Sequence, residues 1–143
     1  MPFISVTRLR LRSWRFVPSF VIYTVGSALQ VRRAAGFLAG YVGTDRNRGF
    51  WTVTSWADEA AMKSYRAAGT HLKAMAKLRT WCDEASIAHW TQNDAAAPTP
   101  DIAFERMRLQ GRTSKVSAPS MNHQRGEVVG EAAPRVGINL RRV

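Results

Sequence analysis

Few residue types in this chain can move a proton or hold a ligand, and their spacing decides how each can be read. His71 stands one helical turn before Met75, on a stripe that continues to Leu78 and Cys82. An imidazole titrates near neutrality, so His71 could serve as a general base or a ligand, with Tyr65 one side of a glycine break away. The alternative is a histidine that packs or caps at a helix start, because no Asp or Glu stands where it would orient the ring. His89 falls mid-strand between Ile87 and Thr91, and His123 lies far along the chain; with no metal-ligand spacing among the three, no metal site is expected. Trp51, Trp56, Trp81 and Trp90, with Tyr41 and Tyr65, supply either a core or the walls of a flat apolar pocket for an aromatic, quinone-like or polyene molecule. Arg8, Arg10 and Arg12 recur on one strand face and could grip a carboxylate or phosphate bidentately, with Arg10 as the anion contact, or form a solvated row on an edge strand. Cys82 is the only cysteine; beside Asp83 and Glu84 it reads as a half-buried structural thiol, not a nucleophile. "GRTSKVS" lacks the glycine spacing of a phosphate-binding loop.

The elements that must position these residues follow from periodicity. Phe3 to Arg12 alternates, with Thr7, Leu9 and Leu11 on the face expected to be buried and the arginines opposite. After Pro18, apolar residues recur at three and four residue spacings up to Arg32 and Arg33, which suit the negative end of a helix that Gly36 terminates. "GFLAGYVGT" and "FWTVTS" read as two strands joined by the hairpin loop "DRNRG". Asp58 is a good N-cap for a helix that breaks at Gly69, where Thr70 is expected to cap a second helical segment, and "SIAHWTQ" closes the series as a strand. Strand, helix, strand, strand, helix, strand is the α+β, ferredoxin-like split βαβ order: a four-stranded antiparallel sheet with helices on one face. Aromatic and Val-rich strands that bury both faces would let two such sheets pack together, so a homodimer is expected. Residues 1–93 form this domain; residues 94–143 read as a linker, a short helix started by Thr99 and Pro100, and a partly disordered basic tail beyond about residue 120, with a strap over a pocket as the functional alternative.

Lys and Arg number 21 against 10 Asp and Glu, and residues 1–93 already hold thirteen basic and five acidic residues. The excess belongs to the folded part and favours anionic partners, but no stacking or groove-reading motif accompanies it, so nucleic acid is disfavoured. "FVPSFVIYTVGSAL" follows four arginines and ends in small residues, the build of a signal peptide, yet cleavage would discard the first strand and the segment is short for a membrane span. Membrane partners are disfavoured on that ground, and a lone cysteine fits a reducing, cytoplasmic location.

The element order, together with "FISVTRLRLR", "GFWTVTSWADEAAMKSY" and the break at Gly69, resembles the dimeric α+β barrel superfamily, and within it the antibiotic biosynthesis monooxygenase-like proteins. "LRLRSWRF" is also similar to the start of spheroidene monooxygenase-like proteins. The resemblance implies a dimeric α/β barrel and an oxygenase that needs no cofactor, in a superfamily that also holds haem-degrading enzymes. Matched to that haem-degrading branch, Thr7 takes the place of an Asn, Tyr65 of a Trp and Met75 of the ligand His, so all three are replaced. Haem degradation of that type is not implied; His71, one turn from Met75, leaves haem itself open. The expected function is therefore a monooxygenase-like protein that oxidises or binds a flat apolar molecule between sheet and helices, with Tyr65 and His71 near the chemistry and Thr7, Trp56 and Met75 in the pocket. The competing expectations are a non-catalytic binding or structural dimer and, third, association with nucleic acid or an anionic surface.

Overall fold

The computed structural model describes residues 1–128 and 133–143. β1 (Phe3–Leu11) leads through a short 3₁₀ turn at Trp14–Phe16 into α1 (Val17–Arg32), which is followed by β2 (Phe37–Thr44), β3 (Phe50–Trp56), α2 (Glu59–Arg66), α3 (Gly69–Trp81) and β4 (Cys82–Thr91). α4 (Pro100–Gln110), β5 (Arg112–Thr113), α5 (Met121–Gln124) and β6 (Arg135–Leu140) complete the chain. The fold is α+β and ferredoxin-like, but the sheet has six strands where four were expected, in the order β5-β4-β1-β3-β2-β6. Both additions come from residues 94–143, and β6 falls in the tail expected to be partly disordered beyond about residue 120. β6 pairs with β2 through Gly43, where a Cβ would stand 2.1 Å from the Arg135 carbonyl oxygen, so only glycine admits the added strand.

β1 lies between β4 and β3 rather than at an edge, which changes the reading of its alternation. The expected buried face, Thr7, Leu9 and Leu11, is half-buried, while Arg8 on the opposite face is only 2% exposed. The reason is an internal charge cluster. Arg8 Nε donates to Asp45 Oδ2 and its Nη1 to Glu84 Oε1, each at 2.7 Å, and Arg10 forks onto the Asp83 carboxylate at 2.9 and 3.0 Å. Asp45 also accepts from the Trp51 indole at 2.8 Å and from the Gly49 and Asn47 amides, closing the hairpin loop; Ser120 donates to Glu84 at 2.7 Å. Burial would raise both carboxyls, but these hydrogen bonds and the Arg8 charge outweigh it and hold Asp45 and Glu84 below the usual carboxylate range.

On that same face Ile4, Val6, Trp51, Val53, Ala88 and Trp90 form one core with Ala103 and Met107 of α4. The face expected to meet a partner's sheet is therefore covered by the chain's own helix, and a sheet-on-sheet dimer through it would require α4 to leave. Cys82 belongs to β4 instead of ending the α3 stripe; it is fully buried, and burial, with Asp83 adding to it, pushes its thiol up to about 12.

Candidate functional site

The opposite face of the sheet carries small polar residues: Ser5 and Thr7 of β1, Thr52 and Thr54 of β3, and His89 of β4. α1, α2 and α3 arch over them without filling the space, leaving a cavity of about 590 Å³. α1 and α3 pack closely because α1 carries Gly26 opposite Thr70, where a Cβ would come within 2.6 Å of the Thr70 methyl.

The junction of α2 and α3, which delivers His71, is organised differently from the sequence expectation. Asp58 caps α2 by accepting from the Ala61 amide at 2.8 Å. Thr70 does not cap α3. Gln30 reaches across from α1, accepts from the His71 amide at 2.9 Å, and donates to the carbonyls of Tyr65 at 3.1 Å and Ala68 at 2.8 Å. One side chain thus satisfies groups on both sides of the break. Gly69, at φ +58°, makes the turn.

From this junction a file of rings enters the cavity wall. Trp56 meets Phe37 at 5.5 Å and Tyr65 at 5.2 Å between centroids, and Tyr65 meets His71 at 4.6 Å. Trp56 Nε1 donates to Thr54 Oγ1 at 2.9 Å, and the Tyr65 hydroxyl donates to the Ser27 carbonyl at 3.1 Å. Burial raises the Tyr65 hydroxyl well above its ordinary value despite that bond, so Tyr65 stays protonated and positions rather than accepts. Burial lowers His71, and the Arg66 charge adds to this against the pull of the Arg66 carbonyl, 3.5 Å from Nδ1. A proton on Nδ1 faces that carbonyl and leaves Nε2 as an acceptor.

Thr7, Trp56, Tyr65, His71 and Met75 all line this one cavity. Arg10 does not: it sits on the far sheet face, and the carboxylate it grips is the chain's own Asp83. His89 was set aside as a mid-strand residue, yet β4 turns it inward opposite Ser5, and its Nε2 is buried with no partner among the described residues. Its period-two spacing from Ile87 was the available signal. Burial first, then the Arg66 and Arg112 charges, lower His89 too, so the cavity shifts both imidazoles toward the neutral form. Residues 112–116, straddling β5, also line the cavity, with Ser114 donating its amide to the Ala85 carbonyl. They place Arg112 and Lys115 beside Arg66 and Arg79 in its lining. No Asp or Glu lines the cavity among the described residues, and no cluster of three His, Cys, Asp or Glu stands ready for a metal.

No protein-family model matches the sequence, and no curated protein matches it. The fold does match solved structures. SnoaB, described as a cofactor-independent oxygenase from Streptomyces nogalater, is similar with a TM-score of 0.54 and 17% identity over 65% of this chain and 94% of that one. Rv0793 from Mycobacterium tuberculosis gives a TM-score of 0.59 at 10% identity, over 66% and 97% of the two chains. A structure described as an antibiotic biosynthesis monooxygenase gives 0.57 at 10% identity, over 64% and 99%. The chain therefore shares the fold of these solved structures, with about a third of its own length beyond the shared part.

Proposed function

We propose that the cavity takes a flat, largely apolar molecule carrying an acidic group, and that the protein acts on it as a monooxygenase-like enzyme with His71 as the base. The observation that carries this reading is the lining itself: aromatic walls, two imidazoles, four cations and no carboxylate among the described residues. A neutral imidazole beside a bound ring can accept a proton from a phenol or an activated C–H, which makes the ring electron-rich enough to meet dioxygen without a resident cofactor. Tyr65, in tilted ring contact with His71, would hold the imidazole in place, and Thr7, Trp56 and Met75 would complete the slot. The cations supply charge-assisted bonds to the acidic group, which a hydrophobic slot alone cannot.

Anthraquinone carboxylate and its methyl ester separate the parts of this reading. The acid is expected to bind about tenfold more tightly by tryptophan quenching, the value of one charge-assisted hydrogen bond; equal affinity would remove the acidic group from the proposal. With the corresponding anthrone carboxylate, oxygen uptake is expected to be lost in His71→Ala while binding persists; unchanged uptake would remove His71 from the mechanism. Binding without any oxygen uptake in the wild type would favour the second reading, a non-catalytic binding protein. Haem belongs to the same class of flat apolar acids, and His71 and His89 are the two cavity residues able to ligate it; a Soret shift on haemin addition that vanishes in His71→Ala or in His89→Ala would identify that case and its ligand.

A further inference from the structure

The outer surface of α1 is apolar where a surface helix is normally polar. Its inner side, Phe20, Thr24, Ser27 and Val31, faces the cavity, and yet Ile22, Val25 and Leu29, three and four residues apart, are 70, 54 and 54% exposed on the other side. Val21 lies next to this stripe, and Trp14, 76% exposed, stands just before the helix. A helix that is apolar all round is ordinarily buried on all sides, and isolated exposed apolar residues do not make such a row. The charges around it have one sign. Arg12 and Arg15 precede the helix, Arg33 follows it, and Lys73 and Lys77 stand exposed on α3, whose Lys77 reaches over the Tyr23 ring of α1. There is no acidic residue anywhere in residues 1–44 or in α3.

We propose that this face docks on the surface of an anionic lipid bilayer, with α1 lying flat in the interface, its apolar stripe in the acyl boundary, Trp14 at headgroup level and the cations against lipid phosphates. A second copy is the weaker occupant, because a two-fold contact would set the same cations of both chains against each other. Nucleic acid matches the charges but offers nothing to a row of Ile, Val and Leu. Among the described residues no helix is long and apolar enough to cross a membrane, which agrees with a helix that lies on the surface. The docking stands whatever the cavity binds. It also gives the cavity an approach: an apolar groove of about 330 Å³, lined by Trp14, Val17 and Val21, shares Leu9, Phe20, Thr24 and Phe50 with the main cavity.

The test is co-sedimentation of the full chain with vesicles of phosphatidylcholine alone or with about a third phosphatidylserine, at low and high salt, beside its sedimentation without lipid. Binding is expected to the anionic vesicles only, to weaken with salt, and to fall by about tenfold in Ile22→Asp and in Leu29→Gln, each removing one apolar contact. Both sites are exposed, so unchanged circular dichroism is expected, and a wild-type blue shift of tryptophan emission on vesicles should diminish in Trp14→Phe. Failure to bind anionic vesicles at low salt would overturn the proposal. So would binding that ignores both substitutions, which places adsorption elsewhere, or a lipid-free dimer that Ile22→Asp dissociates, which gives the stripe to a second copy.

Discussion

On one face of the sheet Ile4, Val6, Trp51, Val53 and Ala88 lie almost unexposed against Ala103 and Met107 of α4; on the other, their chain neighbours Ser5, Thr7, Thr52 and Thr54 look into a cavity of about 590 Å³. Each strand contributes to both faces by simple alternation. The face with large side chains is stapled at one end by Arg8 between Asp45 and Glu84, and its packing and ion pairs serve the fold. The face with small side chains leaves the His89 imidazole nitrogen Nε2 without a partner among the described residues and is roofed by helices that do not fill the space beneath them. The difference teaches that the strands divide labour by parity: one set of positions makes stability, and the set one residue over makes a binding space.

This division can be broken by substitution. The largest effect is expected from Arg8→Ala, which leaves buried Asp45 without its cation and Glu84 with Arg10 alone, and should cost about 3–5 kcal/mol in urea unfolding. Its pH dependence carries the sign. In the wild type Asp45 and Glu84 titrate below their unfolded values, so their stabilisation is full above the ordinary carboxylate range of about 4 and is lost as pH falls through the lowered values. Without Arg8, burial is opposed only by the remaining hydrogen bonds and, at Glu84, by Arg10, so both carboxyls should titrate higher than in the wild type and the penalty of the variant should shrink as the pH is lowered. A penalty independent of pH would mean that the cluster is not ionic.

Next in size, Met107→Ala opens a void in the α4 contact and should cost about 2–5 kcal/mol, whereas Met75→Ala, at a cavity-lining position 40% exposed, should cost far less. Equal costs would erase the distinction between the faces. Gln30→Ala should cost about 0.5–2 kcal/mol by the scale of a lost helix cap, with faster hydrogen exchange at the His71 amide as its local signature. The smallest stability change belongs to Thr7→Leu, which extends into existing space: a shift within about 1.5 kcal/mol, with weaker binding of anthraquinone carboxylate. A large loss of stability there would show that the cavity face is packed after all.

Much of the shared domain was legible. Alternation in "FISVTRLRLR", the Asp58 cap, the Gly69 break and the polar link between β2 and β3 are local signals, and the elements they specify lie where the signals put them. What local signals cannot carry is which strand sits beside which. That hid the central place of β1, and with it the burial of Arg8 and the engagement of Arg10 by Asp83. β6 does alternate, with Val136, Ile138 and Leu140 at every second position, but it stands in a tail that is otherwise poor in large apolar residues, and only the tertiary structure shows that β2 offers it an edge with a glycine opposite. His71 was visible by its helical stripe; His89 was not, because its partner across the sheet, Ser5, is more than eighty residues away along the chain.

The sequence by itself determined the order and type of the shared elements, the basic surplus and the positions able to do chemistry, since each of these rests on periodicity or composition within a few neighbouring residues. Only the tertiary structure decided which face of the sheet is hollow, which arginines are consumed by the fold, that two distant histidines share one cavity, and that the outer stripe of α1 is left uncovered, because each of these depends on which surfaces are brought together and which are left over once the sheet has closed.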